Sequence, residues 1–194
     1  MTLIEAFLTD LARVWTQPSR PTLRVIGSTA LMLRTSYLRV TKDSDVLETV
    51  ALDALTQQQL LALAGRGSPR ETRWKLYLEI VPNGLPFLPH APMWHSVSLP
   101  TAADTVQIEA LDALDVVVSK LKRFHDNDRA DISAMVTRGL VPYARLVERF
   151  RSALDVIMDG ARADEAPRIV ENLNEIERDL LSVGESEIEL PDWI

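Results

Sequence analysis

Leu23-Arg24-Val25-Ile26-Gly27-Ser28-Thr29-Ala30-Leu31, with Asp43-Ser44-Asp45 shortly after it, is the stretch on which the reading of this chain turns. The apolar run Leu23–Ile26 reads as a strand that stops on Gly27-Ser28. Ala30, Leu31, Met32 and Leu33 then favour a helix. Thr41–Leu47 reads as a second strand that carries two acids and sends Val46 and Leu47 into the core. A glycine lets backbone N–H groups approach an anion, and a helix N-terminus adds partial positive charge there. Carboxylates at i and i+2 of a strand project to the same side, so Asp43 and Asp45 can ligate one hard cation. An anion-holding turn beside a metal site is the expected chemistry.

Composition narrows the setting. The chain has 194 residues, 46% hydrophobic and 25% charged, ordinary for a globular protein with one domain or two small ones. It has no cysteine, which excludes disulfides and thiolate metal sites and suggests a reducing compartment. Glu5 and Asp10 near the start argue against a signal peptide, and no uncharged run is long enough to span a bilayer. A cytoplasmic location with no membrane partner is the expectation. The net charge is −7, and from Asp155 onward twelve acids face three arginines. A broad DNA-binding surface is therefore not expected.

Outward from the quoted stretch, Ile4, Phe7, Leu8, Leu11 and Trp15 make an amphipathic helix that stops before Pro18. Thr56-Gln57-Gln58-Gln59 resembles a capping box opening a helix to Gly65. Trp74–Val81 alternates as a third strand, with Lys75, Tyr77 and Glu79 on its polar side. Pro82–Pro100 reads as an irregular loop with a short strand at Ser96–Leu99, and Thr105–Glu109 as a fourth strand. Beyond Ala110 the period is helical: a first stripe runs from Leu111 to Phe124, and further helices cover Asp126–Arg138, the region after Pro142 and the region after Pro167. This order predicts an α+β domain over 1–109 followed by a C-terminal helical bundle over 110–194.

Several motifs are excluded. Leu47 stands at the third ligand position of a calcium loop after Asp43 and Asp45, and the loop glycine is missing. Gly27-Ser28 lacks the lysine of a P-loop and the further glycines of a dinucleotide fingerprint. His90, His95 and His125 have no metal-ligand spacing and read as loop or surface residues. Glu79 distinguishes the acid pair from a solvated turn, because a neighbouring strand can bring it beside Asp43 and Asp45. Three carboxylates converging on two Mg2+ ions is an arrangement for phosphoryl transfer. Glu48 and Asp53 are competing third carboxylates. Arg34, Arg39 and Lys42 lie between the two motifs and suit the charge of a triphosphate. Lys120, one turn from Val117 and Phe124, reads either as a cleft-edge cation or as a rim lysine with a packed stem; Lys122 and Arg123 read as solvated.

Gly-Ser followed by Asp-x-Asp, with a third acid on a later strand, resembles the nucleotidyltransferase superfamily typified by DNA polymerase beta. The longer pattern Ile26–Leu31 and Arg39–Asp45, then Lys120-Leu121-Lys122-Arg123 and Asp126–Ile132, is similar to one branch of it. That branch holds abortive-infection-type nucleotidyltransferase toxins and their bacterial relatives. The resemblance covers roughly residues 23–135 and implies a mixed sheet flanked by helices. It implies Asp43 and Asp45, with Glu79, as ligands of Mg2+ and Gly27-Ser28 as the phosphate-gripping turn. Lys120 would contact the phosphates, with Asp131 (or Asp128) as a polar partner. Ser44 stands where the family usually has an apolar residue, which predicts weaker burial of that strand.

The expected function is transfer of a nucleoside monophosphate from an NTP to a hydroxyl of a protein or RNA, with Arg39 and Lys42 among the nucleotide-binding residues. The resemblance also allows a toxin with a cognate antitoxin. The alternative is a non-catalytic nucleotide- or protein-binding module on the same fold, suggested by the acidic C-terminal helices and by Trp193 near the chain's end.

Overall fold

A computed structural model describes residues 1–50, 52–99 and 105–191. Trp193 lies outside the described residues. The chain divides into two compact units: Met1–Leu85 with Trp94–Asp112, and Pro86–Met93 with Ala113–Ile194.

The first unit is a five-stranded mixed sheet flanked by helices. Its elements are α1 (Leu3–Val14), β1 (Thr22–Val25), α2 (Gly27–Arg34), β2 (Asp43–Leu47), α3 (Ala54–Ala64), α4 (Pro69–Trp74), β3 (Tyr77–Val81), β4 (Trp94–Ser96) and β5 (Gln107–Leu111). The strand order is β3-β2-β1-β5-β4. β1 runs antiparallel to β2 and parallel to β5, while β2 runs parallel to β3. Register sorts the side chains by face. Leu23, Val25, Ser44, Val46, Leu78, Ile108 and Ala110 share the buried face, and α2 packs across β2 and β5. Arg24, Glu109, Asp43, Asp45, Tyr77 and Glu79 share the other.

α1 forms as its stripe predicts, with Phe7, Leu8 and Leu11 fully buried and a Thr2–Glu5 capping box at its start. Each such side chain contributes roughly 2 kcal/mol of transfer free energy. Ser44 corrects an expectation: it is fully buried between the two acids, so the strand is not loosened there. Its hydroxyl has no hydrogen-bond partner among the described residues.

Four element boundaries differ from the sequence reading. α3 starts before the Thr56 box, because Asp53 is the N-cap and its Oδ1 accepts from Thr56 N–H at 2.7 Å. Trp74 ends a helix instead of opening a strand. Ser68 caps α4 by accepting from Glu71 N–H, Pro69 sits in its first turn, and Lys75 at φ 55° breaks the chain into β3. The short strand is Trp94–Ser96 rather than Ser96–Leu99, and the next one begins at Gln107 rather than Thr105.

The second unit holds α5 (Ala113–Arg123), α6 (Asp126–Thr137), α7 (Tyr143–Met158) and α8 (Ala166–Ile176), the last followed by a π-turn over Glu177–Leu181. α5 packs against α6, α7 and α8. Contacts that tie the segment Pro86–Met93 into this unit include Phe87 edge-on to Phe150, His90 N–H donating to Ser152 Oγ, Arg149 donating to the Ala91 carbonyl, and buried Asp115 taking the Met93 N–H and the Arg149 fork. Among the described residues no helix is long and apolar enough to cross a membrane.

Candidate active site

Three acids meet on the polar face of the sheet. Asp45 and Glu79 are register partners on β2 and β3, and Asp43 lies two residues before Asp45 on the same face. One carboxylate oxygen from each lies within 4.8 Å of the others. Asp43 and Asp45 are partly buried and Glu79 is exposed. At that spacing two like charges repel by about 1 kcal/mol in water and about 3 kcal/mol at an effective dielectric near 20. The cluster therefore favours a cation. Its donors are all carboxylate oxygens, which suit a hard divalent ion such as Mg2+.

The backbone places the glycine turn against this cluster. Ile26 N–H donates to the Asp45 carbonyl at 2.9 Å, so the chain leaves β1 beside Asp45 and enters α2 at Gly27. Gly27 has φ +62°, and a Cβ there would fall 3.1 Å from Asp45 Oδ2. Ile26 at the N-cap supplies no side-chain hydrogen bond to the first turn of α2. Arg39 Nη1 donates to Ser28 Oγ at 3.0 Å, which brings a guanidinium to the same turn. Lys42 is exposed, and its carbonyl accepts from Tyr77 N–H at 3.0 Å.

Two threonines support Asp43. Thr41 Oγ1 donates to Asp43 Oδ1 at 2.7 Å, and Thr29 Oγ1 donates to the Asp43 carbonyl at 3.3 Å. Sequence reasoning did not single these out, although a hydroxyl two residues before an acid is a recognisable local hydrogen-bonding signal. The competing acids do other work: Asp53 caps α3, and Glu48 accepts from Gln57 Nε2 at 3.1 Å.

Lys120 and Asp131 belong to the second unit and meet each other there. Lys120 is 5% exposed; Nζ lies 2.9 Å from Asp128 Oδ1 and 2.8 Å from Asp131 Oδ2. It is thus a buried lysine held by both acids, not a rim lysine. Arg123 is not a purely solvated residue either, because it forks onto Asp128 at 2.9 and 3.0 Å while remaining largely exposed. Burial pushes the Asp128 carboxyl upward, but hydrogen bonding from Arg123 and the charge of Lys120 outweigh it and hold it at about 2. Lys122 is corrected as well. Its side chain is largely covered, 3.6 Å from Glu165, and that burial lowers its pKa. His95 Nε2 pairs with Asp112 at 2.9 Å.

No curated protein and no solved structure matches the chain. The model of a protein family does match, over residues 3–181, and its description is "Nucleotidyltransferase of unknown function (DUF6036)". The match spans both the acid cluster with its glycine turn and the helices that hold Lys120, and the chain belongs to this nucleotidyltransferase family.

Proposed function

We propose that the protein transfers a nucleoside monophosphate from an NTP to a hydroxyl of a protein or RNA acceptor and releases pyrophosphate. The observation that carries this reading is the meeting of Asp43, Asp45 and Glu79 within 4.8 Å, beside a glycine that no other residue could replace without crowding Asp45. Asp43, Asp45 and Glu79 would hold Mg2+. When bound, that ion disperses charge on the phosphates and makes the acceptor hydroxyl more acidic.

The first-turn amides of α2 and the Arg39 guanidinium orient the triphosphate. Glu79, the most exposed acid of the three, takes the proton of the acceptor hydroxyl. As the acceptor oxygen bonds to the α-phosphorus, the bond from that phosphorus to the α–β bridging oxygen breaks. Pyrophosphate then carries the electron pair away. Thr41 and Thr29 keep Asp43 in place during this exchange.

The test is transfer of label from each of the four α-labelled NTPs to protein and RNA fractions of a cell extract. Label should appear in one fraction with wild-type protein and Mg2+, and fall by at least about a hundredfold with Asp45→Asn. Wild-type protein that labels neither fraction with any NTP, or Asp45→Asn protein that labels as fast, contradicts the reading.

A further inference from the structure

On the β3 side of the acids stands an arginine that the proposed reaction does not yet use. Arg66 follows α3 and is exposed, yet it is held in place. Its guanidinium carbon lies 4.7 Å from the centre of the Tyr77 ring, and Nη2 donates to Tyr77 Oη at 2.5 Å. Tyr77 is itself 9% exposed and is the register partner of Asp43, on the face that carries the acids. The backbone carrying Arg66 is fixed on both sides. Gly65 N–H donates to the Leu61 carbonyl at 2.8 Å, and a Cβ at Gly65 would fall 2.5 Å from that oxygen. Gly67 N–H donates to Glu71 Oε2.

Elsewhere in this unit, Arg24 is spent on Glu109, and Arg70 and Arg73 on Asp10. Arg66 has no carboxylate partner among the described residues and rests on a neutral aromatic ring instead. A ring fixes the guanidinium plane without neutralising its charge, which leaves donors of the fork for an anion. The acids therefore lie between two cationic flanks: Arg39 at the Gly27-Ser28 turn on the β1 side, and Arg66 on the β3 side.

We propose that Arg66, oriented by Tyr77, binds a phosphate group in the nucleotidyltransferase site, supplied by the NTP or by a nucleic-acid acceptor. The inference rests on the reading of the acid cluster given above. Its test uses full-length Arg66→Gln, Arg66→Lys and Tyr77→Phe proteins, checked for unchanged melting. One arm measures binding of Mg2+ with non-hydrolysable NTP analogues by calorimetry. The other measures binding of a short fluorescent single-stranded RNA by anisotropy.

Arg66→Gln should lose about tenfold or more in one arm, and the arm that responds identifies the source of the phosphate. Arg66→Lys should recover part of the loss, and Tyr77→Phe should lose less than Arg66→Gln. Unchanged affinity of Arg66→Gln in both arms, with wild-type binding intact, overturns this proposal alone. Wild-type protein that binds neither Mg2+-NTP nor RNA overturns it, and Mn2+ binding measured by electron paramagnetic resonance then decides whether the reading of the acids falls with it. Mn2+ bound by wild type and by Arg66→Gln but lost in Asp45→Asn leaves the acid cluster standing.

Discussion

Gly27 answers to two constraints at once: a left-handed backbone and a neighbour, Asp45 Oδ2, that a Cβ would crowd at 3.1 Å. Gly27→Ala should therefore cost about 1–2 kcal/mol in backbone strain, a loss of several degrees in melting temperature. Nucleotidyl transfer should fall further than stability does, because the displaced group is a metal-site carboxylate. Ser44, next to the same residue, behaves in the opposite sense. Its buried hydroxyl is unpartnered among the described residues, so Ser44→Ala should stabilise the protein by up to about 1 kcal/mol in urea denaturation and leave transfer unchanged. Added Mn2+ should raise the melting temperature of wild type and leave that of Asp45→Asn unchanged. The sequence made these acids readable because strand periodicity alone puts Asp43 and Asp45 on one side. It could not supply the Thr41 and Thr29 bonds in advance, since they depend on how the chain turns before β2.

Elements were legible where a capping signal and an apolar stripe agreed, as in α1, and misread where they competed. Trp74–Ile80 alternates like a strand, yet Ser68-Pro69-Arg70-Glu71 is a helix start, and the helix wins as far as Trp74. The reason lies far away in sequence: Trp74 Nε1 donates to Asp10 at 3.1 Å, and Arg70 lies 3.2 Å from the same acid, so α4 is anchored to α1. No local pattern encodes that anchor. The corner between α5 and α6 was readable as a pattern of Lys, Arg and Asp, but not as a buried network. Asp128 gathers Lys120 Nζ, the Arg123 fork and the His125 N–H. Its folded pKa of about 2 lies below the ordinary carboxylate value, so its stabilisation is present above pH 4 and is lost as pH falls toward 2. Asp128→Asn should cost about 2–3 kcal/mol at pH 7, and the gap to wild type should close as acid is added. A gap that persists unchanged at pH 2.5 would mean that the carboxylate charge does not hold this corner together.

For the molecule as a whole, the mixed sheet flanked by helices and the nucleotidyltransferase family were foreshadowed by the order of strands and helices and by the Gly-Ser and Asp-x-Asp motifs. Arg66 was not, because its placement follows from the β2–β3 register and from the turn after α3 rather than from any motif. Binding energy spent on the folded state should appear as stability. A Mg2+-NTP pair at a hundredfold above its Kd adds about 2.7 kcal/mol, which corresponds to a rise of roughly 5–10 °C in melting temperature. The most direct measurement is anomalous diffraction from crystals soaked with Mn2+ and a non-hydrolysable NTP. The account predicts Mn2+ peaks ligated by Asp43, Asp45 and Glu79, with the triphosphate against the Gly27-Ser28 turn. Crystals that bind the nucleotide elsewhere, with no metal peak between these three carboxylates, would contradict it.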